Sequence, residues 1–73
     1  MTAPDRLGNR LKEHRARANL TQAELAERVR VSRKTINTVE NGVFVPSTLL
    51  ALKLAHALNA KVEELFFVSE TVS

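Results

Sequence analysis

TQAELAERVRVSRKTINTVEN, residues 21–41, decides how the rest of this chain is read. It opens with the signature of a capping box. The Thr21 hydroxyl can accept from the Glu24 amide while the Glu24 carboxylate reaches back to the Thr21 amide. Leu25, Ala26 and Val29 then recur at helical spacing and face inward. This helix ends near residue 29 or 30, and Val31 lies in a turn, pointing into the core. Ser32 caps a second helix in which Ile36 and Val39 face inward while Arg33, Lys34, Asn37 and Thr38 face outward. The β-branched Thr35, Ile36, Thr38 and Val39 make it a poor helix in isolation, so packing must hold it. Asn41-Gly42 stops it with a left-handed cap. The stretch is two short helices across a tight turn, with a cap and two cations at the start of the second.

On the N-terminal side, a helix is expected over residues 6–18, with Asp5 as its cap after Pro4. Leu7, Leu11, His14 and Ala18 form its inward stripe, and Arg6, Arg10, Lys12, Arg15 and Arg17 populate the rest. Gly8 weakens such a helix by roughly 1 kcal/mol relative to Ala. Either the helix starts near Gly8 or something packs close against it. Asn19 ends the helix in the left-handed conformation. On the C-terminal side, Val43-Phe44-Val45-Pro46 is an apolar loop and Ser47 caps a helix over 48–58 that Asn59 closes. The leucines at 49, 50, 52, 54 and 58 wrap too far round that helix for one buried face. A last short helix over 62–66 carries Glu63 and Glu64 in its first turn, where the dipole favours acids. Phe66 completes the core, and a tail over 67–73 follows, frayed from Ser69 onward. The expected fold is therefore all-α: one domain of 73 residues with helices over 6–18, 22–29, 33–41, 48–58 and 62–66.

A single core is marginal at this length, and close helical packing or a partner subunit is the usual remedy. The hydrophobic content of 44% supports a folded core. The absence of cysteine excludes disulfides and thiolate metal sites and fits a reducing cytoplasm. No signal-peptide pattern or membrane span is visible. Charge is uneven: residues 1–34 hold nine of the eleven Lys and Arg against four acids, a net +5, and residues 35–73 hold two against four, a net −2. A basic half suits an anionic polymer and leaves the other half for a different contact. Catalysis has little to draw on, with no Cys, no Tyr and no Gly-rich phosphate loop. His14 and His56 have no metal-ligand spacing, and neither a metal nor a cofactor is implied. His14 reads as a helix residue partly covered by packing, and His56 as a solvated one.

Taken together, Leu7-Gly-Asn-Arg-Leu-Lys, Leu20-Thr-Gln-Ala-Glu-Leu-Ala, Val31-Ser-Arg-Lys-Thr-Ile, Glu40-Asn-Gly, Pro46-Ser and Glu63-Glu-Leu-Phe stand in an order and at a spacing that resemble one known family. The chain resembles the Cro/CI-type (lambda repressor-like) helix-turn-helix domain of the XRE transcriptional regulators, over about residues 7–66. The resemblance implies five helices, the second and third forming the unit that reads DNA. It implies base-reading roles for Arg33, Lys34 and Thr38, with Asn37 beside them. It implies phosphate contacts for Gln22, which can also brace the third helix, and for Asn41, and makes Arg15–Glu40 an ion pair bridging the first and third helices; Ser32, Arg30 and Arg10 are further phosphate candidates. The chemistry agrees. Arg or Lys can bond guanine O6 and N7, Gln and Asn can serve adenine or phosphate, and helix N-termini bind phosphate.

Three departures from the family pattern stand out. Arg30 occupies a turn position usually held by Gly, so either the backbone avoids positive φ there or Arg30 carries ~1–2 kcal/mol of strain. The loop at Val43, Phe44 and Val45 lacks the cation that often meets phosphate. Lys61 replaces a usual Ser or Thr cap, so the last helix should be less well anchored. Regulators of this type act in pairs, so a cytoplasmic homodimer on a near-palindromic operator of double-stranded DNA is expected, most simply a repressor. Val43, Phe44, Val45, Leu49, Phe67 and Val68 are the candidate dimer surface. Two other readings remain open. One is an antitoxin that binds a toxin through this apolar end and regulates its own operon; the other is a sequence-neutral architectural DNA binder.

Overall fold

The elements run β1 (Arg6–Asn9), α1 (Leu11–Arg17), α2 (Gln22–Val29), α3 (Arg33–Glu40), α4 (Thr48–Ala57), α5 (Val62–Leu65) and β2 (Phe66–Ser69). The computed structural model describes residues 6–69. Asp5 and Pro4, expected to start the first helix, and the end of the expected tail lie outside the described residues.

The five helices stand where local chemistry places them. Thr21 and Glu24 form the complete capping box, with bonds of 3.0 and 2.9 Å. The Ser32 and Ser47 hydroxyls accept from Thr35 N and Leu50 N at 3.1 Å each. Asn19 (φ 57°), Asn59 (φ 51°) and Gly42 (φ 73°) supply left-handed turns after α1, α4 and α3. At α5 only half a box forms: Glu64 Oε1 accepts from Lys61 N at 2.8 Å, and the Lys61 side chain has no oxygen to return the bond. α5 is a single four-residue turn.

The ends of the chain correct the all-α expectation. Residues 6–9 are extended, not helical, and pair antiparallel with 66–69 in the register Arg6↔Ser69, Leu7↔Val68, Gly8↔Phe67, Asn9↔Phe66. A helix over 6–18 therefore shortens to Leu11–Arg17, and the expected tail over 67–73 begins as a strand that runs to Ser69. Both options at Gly8 hold: the helix starts after it, and the Phe67 ring lies across it, where an added Cβ would run into Phe67 Cε2. Phe67 thus covers its bare cross-strand neighbour and carries the Arg10 guanidinium 4.4 Å from its ring centroid.

Every helix sends at least one side chain to the core. Leu11, Leu25, Ile36, Leu54 and Leu65 are 0% exposed and Val39 1%, with Leu20, Ala26, Val29, Leu50, Ala55 and Phe66 around them. Val31 packs against this cluster from the turn, as expected. Leu11 is the one buried residue of α1; Leu7 belongs to β1 and Ala18 is exposed, so the expected four-residue stripe does not form. Polar bonds do the rest. Asn9 Oδ1 accepts from Leu11 N at 3.1 Å and Asn9 Nδ2 donates to Val39 O at 3.0 Å, joining the start of α1 to the end of α3. On α4, Leu50, Leu54 and Ala55 are buried while Leu49 (64%) and Leu52 (54%) remain exposed, as the spread of its leucines implied. No helix among the described residues is long and apolar enough to cross a membrane.

Candidate nucleic-acid interface

α3 presents its polar face because its apolar face is fixed. Ile36 and Val39 anchor it in the core, and Arg33, Lys34 and Asn37 are exposed on the far side. Thr38 is half-buried and its hydroxyl donates to Thr35 O at 2.9 Å, which leaves its methyl and an oxygen lone pair for a ligand. Ser32 Oγ is engaged as the cap and lies 2.9 Å from Thr35 Oγ1.

Behind this face lies a polar network spanning three helices. Arg15 grips Glu40 with two bonds, Nε to Oε2 at 2.6 Å and one terminal nitrogen to Oε1 at 3.2 Å; its other terminal nitrogen donates to Leu20 O at 2.9 Å. Their side chains are 14% and 4% exposed. Arg15–Glu40 is therefore the ion pair expected between the first and third helices. Gln22 Nε2 donates to Glu40 Oε1 at 3.0 Å and to Asn37 Oδ1 at 3.2 Å. Gln22 thus braces α3, and both its amide hydrogens are used within the protein. For a phosphate, this end of α2 has the backbone N–H groups of Gln22 and Ala23, which the first turn of a helix leaves without a helical partner.

The other residues named for phosphate stand apart. Arg30 takes the left-handed conformation, φ 61° and ψ 48°, so the strained alternative is the one realised. It shares an open groove with Arg28, Lys53 and His56 that none of the outward residues of α3 line. Arg10 is exposed, its guanidinium resting on Phe67. Asn41 is exposed and shares a groove with Gly42 and Arg6. No local pattern singles out Arg6, because only the pairing of β1 with β2 carries it to the end of α3. Nor does any local pattern mark the bond from Asn9 to Val39. Hydrogen bonds from Thr21, its backbone N–H first and its hydroxyl next, hold the exposed Glu24 carboxyl below the usual glutamate range.

The residues named for a dimer surface do not share one face. Val45 lines an apolar groove with Leu7, Leu52 and Phe66. Val68 extends that side, since it pairs opposite Leu7 and shares the Phe66 face of β2. Phe44 and Leu49 line a second groove with Val31 and Thr35. Val43 is 78% exposed, and Phe67 turns to the opposite face of the strand pair, over Gly8.

A model of the helix-turn-helix domain family matches residues 6–65. A protein of Archaeoglobus fulgidus named an uncharacterized HTH-type transcriptional regulator is 51% identical over 61 residues, covering 84% of this chain and 86% of its own. YgzD of Bacillus subtilis, with the same description, is 45% identical over 62 residues, covering 85% and 94%. Among solved structures, the restriction-modification controller protein C.AhdI from Aeromonas hydrophila superposes with a TM-score of 0.72 at 36% identity, over 75% of this chain and 83% of that one.

The chain belongs to the XRE family of helix-turn-helix transcriptional regulators. In this XRE-type domain α2 and α3 are the helix-turn-helix pair; Gln22 bonds the one to the other, and Arg15–Glu40 ties α3 to α1. The β1–β2 pair sits beside the five helices as an addition to the helical pattern.

Proposed function

We propose that this regulator binds double-stranded DNA sequence-specifically by laying α3 in the major groove, as a cytoplasmic homodimer on a near-palindromic operator. The observation that carries the reading is the exposed row Arg33, Lys34 and Asn37 on a helix anchored by Ile36 and Val39 and braced from behind. A helix entering the major groove needs polar side chains that reach base edges and a backbone that does not yield. Arg33 and Lys34, with Asn37 and the Thr38 methyl, are the base-reading set. Phosphates flanking the groove meet the start of α2 at Gln22, the Ser32 end of α3, and Asn41 with Arg6 beside it. Arg30 and Arg10 add charge at the margins. The simplest action of such a dimer is repression, by occupying a promoter.

The second copy docks along the exposed 43–45 loop, against the groove that Val45 lines with Val68 beside it and the groove that Phe44 lines with Leu49; Val43 lies on the same loop, and Phe67, over Gly8, stands outside this surface. A toxin on the same surface is the competing occupant, favoured by the same exposed apolar side chains. A footprint on the DNA upstream of its own gene, with wild type and Arg33→Ala side by side, tests the reading. Two protected patches about 34 Å apart, lost in the variant, support it. Diffuse protection that weakens equally on every sequence would replace it with a sequence-neutral binder. Absence of any protection would turn attention to a protein partner.

A further inference from the structure

Resting on the major-groove reading of α3, we infer that Gln22 is a positioning residue that fixes which end of the Asn37 amide faces DNA, so that Asn37 reads base edges carrying acceptors. A side-chain amide has a donor end and an acceptor end, and its neighbours decide which turns outward. The Glu40 carboxylate can only accept, and Arg15 holds it in place with two bonds. The end of Gln22 that lies 3.0 Å from Glu40 must therefore be its nitrogen. That same nitrogen lies 3.2 Å from the Asn37 amide, so the Asn37 atom facing it must be the oxygen. The orientation passes from Arg15 through Glu40 and Gln22 to Asn37, and the Asn37 Nδ2 hydrogens are left for a ligand on the exposed face of α3. In the major groove these meet purine N7, guanine O6 or thymine O4. Cytosine, whose N4 amine donates, offers them nothing.

Selection from a duplex library with a randomised core, using the full chain, tests this. The position read by Asn37 is the one whose preference disappears in Asn37→Ala. There, wild type should disfavour cytosine by about tenfold. Asn37→Asp keeps an acceptor toward Gln22 but turns an acceptor to the DNA. Its overall affinity should fall, while cytosine becomes the favoured base at that one position. Gln22→Leu should flatten that position to within about twofold and leave the other preferred positions in place, which a merely structural loss of Gln22 would not do.

The inference is overturned if Asn37→Ala changes no position, if Asn37→Asp keeps the wild-type preference, or if Gln22→Leu weakens all positions equally. Thermal melting of each variant accompanies the selection. Should Gln22→Leu fail to fold, the polarity reversal in Asn37→Asp, an exposed site, decides alone. A wild type that selects no sequence at all would instead overturn the major-groove reading itself, and the inference with it.

Discussion

Glu40 is the residue on which most depends. Its carboxylate answers Arg15 from α1 and Gln22 from α2 while lying on α3, and its side chain is 4% exposed. Removing one member of a buried pair leaves a charge without a partner, which costs more than the pair itself contributes. Glu40→Ala should lower stability by about 3 kcal/mol, read from denaturant unfolding. A loss below about 1 kcal/mol would mean that the pair behaves as a surface bridge. Arg30 is the opposite case, a residue held against its preference. Its φ of 61° is costly for a side chain with a Cβ, and glycine adopts it freely. Arg30→Gly should raise stability by roughly 0.5–1 kcal/mol, the strain released less the backbone freedom that glycine loses on folding. If Arg30 also touches a phosphate, the same variant should reduce the salt slope of DNA binding by about 1.

Among the elements, the helix-turn-helix was legible because its signals are local. Thr21 with Glu24, Ser32, Ser47, Asn19, Asn59 and Gly42 each act within a few residues of themselves, and each does in the structure what its type implies. The strands were not legible. Leu7 and Leu11 fit a helical period by chance, and the pairing that overrides it joins residues 6–9 to residues 66–69 across the length of the chain. Gly8 was the one hint, and its meaning became clear only with Phe67 above it. Gly8→Ala should therefore cost about 1–2 kcal/mol in thermal or chemical unfolding, because the new methyl displaces the ring. In a Phe67→Ala background the same change should cost much less; an equal cost in both would mean that the ring is not what Gly8 makes room for. Within the interface, the outward row of α3 was readable from residue type and spacing, and the Arg15–Glu40 bridge only from the family resemblance. The Gln22–Asn37 bond, the Asn9–Val39 bond and the place of Arg6 depend on how separate elements meet.

At the scale of the whole molecule, we assign the basic, polar α3 side to DNA and the two apolar grooves beside the 43–45 loop to a second copy. Phe44 is 46% exposed and Val45 66%, so charging them should leave the fold intact. Phe44→Glu with Val45→Asp should convert the dimer to a monomer in sedimentation and reduce protection to one half-site; an unchanged dimer would place the second copy elsewhere. Base reading by α3 is tested most directly by a ratio. Binding of wild type and Arg33→Ala should be measured on the footprinted site and on a scrambled duplex across a series of salt concentrations. Arg33 at a guanine contributes about 1–3 kcal/mol of discrimination, so the specific-to-scrambled ratio should fall by about tenfold or more in the variant at every salt. A ratio that stays the same while both affinities drop, with a shallower salt slope, would make Arg33 a phosphate contact and contradict the claim that this row carries sequence information.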